Sequence, residues 1–224
     1  MGEAAGSGPG ASGLLFDRSA ADGRLHAPTF ERNGIPIRDA LLPQLEGVPG
    51  HIVEIGCGSG QHAAVIAVAC PDRLYLPTDI EADHRRSAEA HARAHGLSNV
   101  QTPIALDASA DWTGEVTRLG PLALVLAINV VHISPWGVAE GLIDGAGRVL
   151  GDGGILALYG PFIEPDRPLV ESNKAFNASL RARNPAWGIR ALTDLDRLAE
   201  TAGLGGLGLS RLPANTLLVT WRRG

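Results

Sequence analysis

The chain has 224 residues, enough for one α/β domain with a modest extension and a well-filled core. Its apolar content of 45% and mean hydropathy of +0.07 are typical of a globular protein that folds in water. The formal net charge of −5 argues against nucleic acid as a partner, because phosphate binding requires a basic surface.

The cysteine content and the lengths of the apolar runs exclude two further classes of protein, those built on disulfides and those that span a membrane. Cys57 and Cys70 cannot build a disulfide framework, which is typical of a cytoplasmic protein. The longest apolar run, residues 122–131, is shorter than the roughly 18 residues expected of a membrane span, so no membrane partner is predicted.

The first part of the chain is predicted to lie outside the folded domain. Residues 1–13 are mostly Gly, Ala and Ser with one Pro, a composition that predicts a disordered tail. Residues 14–224 are predicted to form a single domain, of which residues 14–49 are an N-terminal cap segment.

Three polar residues precede a predicted helix in this cap segment. Apolar residues recur at helical spacing from Ile35 to Leu45. Glu31, Arg32 and Asn33 come just before them, and adjacent residues do not share a helix face, so a loop reaching over a site is predicted. An N-cap Asn beside a solvated ion pair stays equally open.

The strongest signal is a glycine-rich turn between a short, largely apolar strand, residues 52–55, and a helical pattern, residues 61–70. Gly56, Gly58 and Gly60 lie between them. Unpaired N–H groups at a helix start, with no Cβ atoms nearby, let a ligand lie directly on the backbone. This predicts a nucleotide-type pocket, and a glycine turn with no ligand is the alternative.

The spacing of this turn favours one kind of ligand. In the dinucleotide fingerprint the third glycine comes three residues after the second, whereas these glycines alternate. Glu54 precedes the first glycine by two residues. A carboxylate there would repel a pyrophosphate but can bind an ammonium group.

Two more acids follow predicted strands. Asp79 ends the second strand, residues 73–77, and is 19 residues beyond Gly60, where an acid can accept hydrogen bonds from ribose hydroxyls. Asp107 ends a predicted third strand, residues 99–106, where an adenine amino group could donate to it. Helix-capping and turn-forming roles are the alternatives for these two acids.

The helix between these strands, residues 81–95, carries three histidines on roughly one face. His91 and His95 have the i,i+4 spacing of a metal site, but no acidic or cysteine partner completes it. A solvated face that includes His84 is therefore predicted, and no metal.

A second group of polar residues follows the predicted fourth strand, residues 122–128. Asn129 and His132 come off its end, beside the predicted crevice. A histidine there is suited to take a proton from a hydroxyl or amine. A structural histidine bonded to a backbone carbonyl is the alternative.

The last third of the chain completes the predicted sheet. Residues 155–159 form the fifth strand, and residues 161–173 form a polar, lid-like connection. Residues 209–212 and 216–221 are predicted to pair as an antiparallel hairpin at the sheet edge.

Together these features resemble the class I S-adenosylmethionine (SAM) dependent methyltransferases. That resemblance implies a Rossmann-like α/β fold with a seven-stranded, mostly parallel sheet, a C-terminal antiparallel hairpin and helices on both faces. A narrower set of motifs resembles the methyltransferase-like family known as domain of unknown function 938. The motifs are Ala27-Pro28, Glu31-Arg32-Asn33, Glu54-Ile55, Gly58-Ser59-Gly60-Gln61-His62-Ala63, Pro77-Thr78-Asp79, Ile128-Asn129, His132-Ile133-Ser134-Pro135-Trp136, Tyr159-Gly160-Pro161, Ser172-Asn173, Trp187-Gly188-Ile189-Arg190 and Pro213-Ala214-Asn215.

The chain departs from this family at two places. The family commonly has Ala-Ser-Gly-Thr-Gly where this chain has Gly-Cys-Gly-Ser-Gly at residues 56–60, which is closer to ordinary methyltransferases. It also tends to have a second Asn where Thr216 stands. The resemblance implies SAM as cofactor, and it implies these contacts: the methionine moiety on Gly56, Gly58 and Gly60, its amino group on Glu54, the ribose on Asp79 and the adenine on Asp107.

The function predicted first is methyl transfer to an O or N nucleophile of a small-molecule substrate, in secondary metabolism. His132 is the predicted base or substrate orienter, and Glu31 is the alternative base. The residues predicted to line the wall of the pocket are Asn129, Tyr159, Glu31, Arg32 and Asn33. Three of them, Asn129, Arg32 and Asn33, are also predicted to contact the cofactor. Arg190 and Asn173 are weaker candidates for the pocket.

Two other functions stay open. The same site could catalyse a displacement without methyl transfer, such as an intramolecular cyclisation. The chain could instead be a SAM-binding subunit that supports a catalytic partner through its N-terminal segment or the connection at residues 161–173. A homodimer or a complex with another protein is compatible with each of these hypotheses.

Overall fold

A computed structural model describes residues 16–17 and 22–224 of the chain, so the predicted tail, residues 1–13, lies outside the described residues. The described residues form a mixed six-stranded sheet with helices on both faces. The strands are β1 (His51–Ile55), β2 (Tyr75–Thr78), β3 (Leu122–Ile128), β4 (Leu150–Gly160), β5 (Phe162–Ile163), β6 (Arg190–Ala191), β7 (Leu204–Leu212) and β8 (Thr216–Arg223). The helices are α1 (Phe30–Leu41), α2 (Gln61–Ala69), α3 (Ala82–Ala94), α4 (Thr113–Val116), α5 (Trp136–Val149), α6 (Glu171–Arg183) and α7 (Leu192–Thr201).

The order of the strands places the ends of β1, β2, β3 and β4 at one edge. The order is β2-β1-β3-β4-β8-β7, in which the first four strands are parallel and β8 and β7 are antiparallel. The small strands β5 and β6 form a separate pair. The predicted α/β fold and its C-terminal hairpin are confirmed, and the turn of the hairpin holds Ala214 and Asn215 at positive φ.

The predicted third strand, residues 99–106, is wrong as a continuous strand, so the described sheet has six strands where seven were predicted. The segment meets β2 only in two isolated bridges, Tyr75 with Val100 and Thr78 with Ile104. Between those bridges stand Pro77 in β2 and Pro103 in the segment, and proline has no N–H to give to a ladder. The Pro77 carbonyl instead accepts a bond from Ile104 N at 3.3 Å. One proline in each strand, between the two bridges, therefore interrupts this pairing.

Two apolar cores lie on the two faces of the sheet. One includes Trp112 and Trp221 under α4, α5 and α7, and the other includes Ile37 and Ile66 under α1 and α2. The central strand β3 is buried over all but its last residue, which agrees with its unbroken apolar sequence. The sheet is therefore a rigid support for the loops at its carboxyl edge.

The predicted loop at Glu31, Arg32 and Asn33 is wrong, because helix α1 begins at Phe30 and includes all three. The alternative of an N-cap Asn is wrong too, since the N-cap is Thr29. Gly34 and Pro36 disfavour a helix and hide its start in the sequence. No helix among residues 16–17 and 22–224 is long and apolar enough to span a bilayer.

Candidate active site

The turn after β1 holds all three glycines in the left-handed region, with φ of +70° at Gly56, +55° at Gly58 and +82° at Gly60. A Cβ on Gly60 would stand 2.3 Å from the Ala88 Cα, so α3 lies directly against the start of α2. A Cβ on Gly56 would meet the Val130 side chain at 2.6 Å. These two glycines serve the packing of the loop.

Gly58 has a different surrounding. Its added Cβ would meet only the ring of Phe16, at 3.0 Å from Cζ, and no backbone atom. Gly58 N–H donates to Asp79 Oδ2 at 3.0 Å. Of the three glycines, Gly58 is therefore the one whose Cα faces a movable side chain instead of the core.

We expect alanine substitutions to separate these roles. Gly60→Ala forces Cβ into the α3 backbone at positive φ and should lower the free energy of unfolding by about 3 kcal/mol or more. Gly58→Ala should lower it by only about 1 kcal/mol, since Phe16 can yield. Thermal unfolding followed by circular dichroism measures both changes. Equal losses of stability would contradict the assignment.

Glu54 is a buried acid beneath the glycine turn. Only 1% of its surface is exposed, and the Tyr75 hydroxyl donates to Glu54 Oε2 at 3.0 Å. Burial raises the pKa of Glu54 to about 8, Tyr75 opposes that shift, and the nearby charge of Asp79 adds to it. A carboxyl group with this pKa would gain from a cation placed beside it.

Asp79 lies at the end of β2 and contacts the glycine turn directly. Besides Gly58 N–H, its Oδ2 accepts from His84 Nδ1 at 3.0 Å, and its Oδ1 accepts from Glu81 N at 2.9 Å. The structure thus brings Glu54, Asp79 and the glycine turn together at one edge of the sheet.

Asp107 lies apart from these two acids in its contacts. It is exposed, and its Oδ1 accepts from Ser109 N at 2.9 Å and from Ser109 Oγ at 2.7 Å. These bonds hold the pKa of Asp107 below its usual value. The turn-forming role is thus present, and a contact with an adenine remains a prediction.

The first turn of α1 divides the three polar residues of the cap segment. Glu31 and Arg32 are exposed, whereas Asn33 is buried and its Oδ1 accepts from His62 Nε2 at 3.2 Å. Burial lowers the pKa of His62 to about 4, and the Phe30 ring packs edge-on against it at 5.1 Å. Asn33 therefore attaches α1 to the start of α2, beside the glycine turn.

The loop after β3 places His132 in a closed environment. Its ring is fully buried, packs edge-on against Phe162 at 4.9 Å and lies so close to Gly160 that a Cβ there would stand 2.2 Å from Nε2. The same Cβ would stand 3.2 Å from Asn129 Oδ1, so the amide and the imidazole flank one glycine. Among the described residues, neither ring nitrogen has a hydrogen-bond partner.

The His132 ring is neutral at physiological pH. Burial lowers its pKa to about 3, the Arg190 charge lowers it further, and the backbone of Gly188 opposes the shift. Gly188 N–H also donates to the His132 backbone carbonyl at 2.9 Å, a bond that does not involve the ring. The predicted alternative, a histidine ring hydrogen-bonded to a backbone carbonyl, is therefore not observed at His132.

Arg190 and Asn173, the two weaker candidates, hold loops in place. Arg190 donates to the carbonyls of Val131, Ser134 and Ala186 at 2.6–2.8 Å. Its guanidinium also lies 5.6 Å from the centre of the Trp136 ring.

Asn173 donates to the Asn215 carbonyl at 3.0 Å and so joins α6 to the turn of the hairpin. Tyr159 is buried at the end of β4, where its hydroxyl accepts from Thr216 Oγ1 at 2.9 Å. The departure from the family at Thr216 thus supplies a hydroxyl to Tyr159.

Two partners of the acids, Tyr75 and His84, were not predicted from the sequence. Tyr75 could have been found, because a buried acid in an apolar strand needs a donor and Tyr75 is the hydroxyl of the neighbouring strand. His84 was placed on a solvated face, and that prediction is wrong because its ring is half-buried against Asp79. His91 is buried too, with Nε2 3.0 Å from the Leu25 carbonyl.

Several solved structures that share this fold are named as methyltransferases. An O-methyltransferase family protein from Burkholderia thailandensis matches with a TM-score of 0.72 at 17% identity, over 87% of this chain and 57% of that one. Human N-acetylserotonin methyltransferase in complex with SAM matches with a TM-score of 0.69 at 17% identity, over 88% and 53%. A putative O-methyltransferase from Nostoc punctiforme matches with 0.69 at 20% identity, over 84% and 56%. The chain thus spans little more than half the length of these proteins.

The parallel sheet, its antiparallel hairpin and these matches define a class I methyltransferase-like fold. A family model described as "Protein of unknown function (DUF938)" matches residues 24–223. The chain therefore belongs to the DUF938 family.

Proposed function

We propose that the protein is a SAM-dependent methyltransferase that acts on an O or N nucleophile of a small molecule, in the cytoplasm and in secondary metabolism. The observation that carries this proposal is Glu54, a buried acid with a raised pKa beneath a glycine turn whose amide is bonded to Asp79. A buried carboxyl group beside the turn suits a ligand with an ammonium group better than one with phosphate.

The residues present fit the parts of SAM. Glu54 would hold the amino group, the turn at Gly58 the methionine moiety, Asp79 the ribose and Asp107 the adenine. When bound, SAM supplies a methyl group on a sulfonium leaving group. The chain then has to align the acceptor and exclude water.

The residues proposed to surround the methyl-accepting substrate carry no charge at the centre of the site. Asn129 supplies an amide, Tyr159 and Thr216 supply hydroxyls, and the imidazole of His132 is neutral. Because these groups donate and accept hydrogen bonds without carrying charge, we propose an acceptor whose reacting part is neutral, such as an alcohol, phenol or amine. His132 would orient that group, and Glu31 is the other candidate base.

Titration calorimetry with SAM and S-adenosylhomocysteine tests the cofactor, and labelled SAM with a metabolite extract tests methyl transfer. We expect binding of both nucleosides and label in a small molecule. No binding would overturn the proposal. Binding without transfer to any extract would favour the displacement enzyme or the SAM-binding subunit.

A further inference from the structure

A segment of the N-terminal cap lies across the proposed nucleoside site. Residues 22–27 cross the start of α2 and the middle of α3, where Ala27 N–H donates to Gln61 Oε1 at 2.7 Å and Leu25 N–H donates to Ser87 Oγ at 2.8 Å. Asp17 pairs with His26 in an antiparallel bridge. Phe16, the residue before Asp17, lies at the glycine turn and contacts Gly58.

The Phe16 ring contacts the two residues that donate hydrogen bonds to Asp79 Oδ2, Gly58 and His84. Its Cζ lies 3.0 Å from the position of a Cβ on Gly58, and its ring stands edge-on to His84 at 4.9 Å. His84 in turn donates to Asp79. Phe16 and His84 therefore cover the side of Asp79 and Gly58 on which the proposed function puts the ribose and the methionine moiety.

The hydrogen bonds of Asp79 show which neighbour a ligand would replace. A carboxylate has about four acceptor sites, and Gly58, Glu81 and His84 fill three of them. A ribose diol brings two donors, so one donor has to leave. The two backbone N–H groups are fixed by the turn and by α3, whereas the His84 side chain can rotate.

We infer that Phe16 and His84 form a built-in competitor for the nucleoside, one that occupies the ribose-binding side of Asp79 and moves away when the ligand binds. This inference rests on the proposed function and deepens it, because it adds two residues to the cofactor site that its motifs do not include. Ligand binding would break the Phe16 contact with Gly58 and exchange the His84 bond for a bond to a ribose hydroxyl.

Affinity for S-adenosylhomocysteine, measured by calorimetry, tests the inference. Phe16→Ala should tighten binding by roughly tenfold, the factor expected if the covered arrangement holds about nine molecules in ten. Phe176→Ala is the matched control, an exposed aromatic residue on α6, and should leave the affinity unchanged.

If Phe16 instead contacted the bound ligand, Phe16→Ala would weaken the binding of S-adenosylhomocysteine. Weaker or unchanged binding by Phe16→Ala, with normal binding by the wild type, would overturn this inference alone. Loss of binding by both would overturn the proposed function and this inference with it. As a second readout, S-adenosylhomocysteine should speed tryptic cleavage after Arg24, and protection of that bond would count against displacement of the segment.

Discussion

Replacing Glu54 by Gln should make the protein more stable at alkaline pH. The pKa of Glu54 is raised from 4.5 to about 8, so the folded protein holds a proton there that the unfolded chain releases. Stability is therefore lost as pH rises from about 4.5 to about 8, by up to roughly 1.4 kcal/mol per pH unit. Gln keeps an acceptor for Tyr75 and has no charge to bury.

We expect Glu54→Gln to raise the unfolding temperature at pH 9 by about 10–20 °C, which corresponds to roughly 5 kcal/mol, and to change it little at pH 4.5. Glu46→Gln, a substitution at an exposed glutamate, serves as control and should show no such dependence on pH. An equal gain of stability at both pH values would contradict the buried charge as its cause.

The same substitution should weaken SAM binding by roughly tenfold to a hundredfold, because a charge-assisted hydrogen bond to the ammonium group is lost. In the wild type, affinity should rise with pH until Glu54 has ionised near pH 8. Calorimetry of both proteins between pH 6 and pH 9 measures this. If the variant binds SAM as tightly as the wild type, Glu54 does not hold the amino group of SAM.

The second large effect is expected at His132. His132→Gln or His132→Ala should reduce turnover by roughly a hundredfold or more while the SAM dissociation constant stays within about threefold. With a pKa near 3, the imidazole is a weak proton acceptor, so its effect is expected through orientation of the acceptor. Transfer of labelled methyl groups into the acceptor fraction measures this change.

His95→Gln is the control for this experiment, because His95 is an exposed histidine at the end of α3. A purely structural role would also destabilise the protein, so the unfolding temperature of each variant has to be compared with its turnover. Lower stability with unchanged turnover per folded molecule would reject the role of His132 in the reaction.

Strand patterns predicted the fold well wherever a segment forms a complete ladder. All six strands of the main sheet were predicted at least in part, because each contains a short apolar or alternating run bounded by turn residues. Residues 99–106 look similar, but a composition pattern does not show that Pro77 and Pro103 both lie between the two points where the strands meet. The start of helix α1 was predicted too far along the chain, because Gly34 and Pro36 disfavour a helix locally. Packing of α1 on α2 stabilises the helix nevertheless.

The candidate site was predictable to the extent that it depends on chain order. Glu54 and Asp79 follow from the rule that ligands bind at the carboxyl ends of parallel strands. The burial of Asn33 and His132 and the position of Phe16 depend on contacts between distant segments, which a single sequence does not reveal. Arg190 stays a predicted pocket residue, and its bonds to three backbone carbonyls are visible only in the folded chain.

The interrupted pairing beside β2 bears on self-association. A free sheet edge can recruit a strand from another molecule and so start aggregation. At one margin the segment with Pro103 covers β2, and at the other the register of β7 against β8 shifts between Gly205 and Gly208. Neither margin of the described sheet offers a long, regular row of donors and acceptors, and this guards the folded chain against edge-to-edge polymerisation.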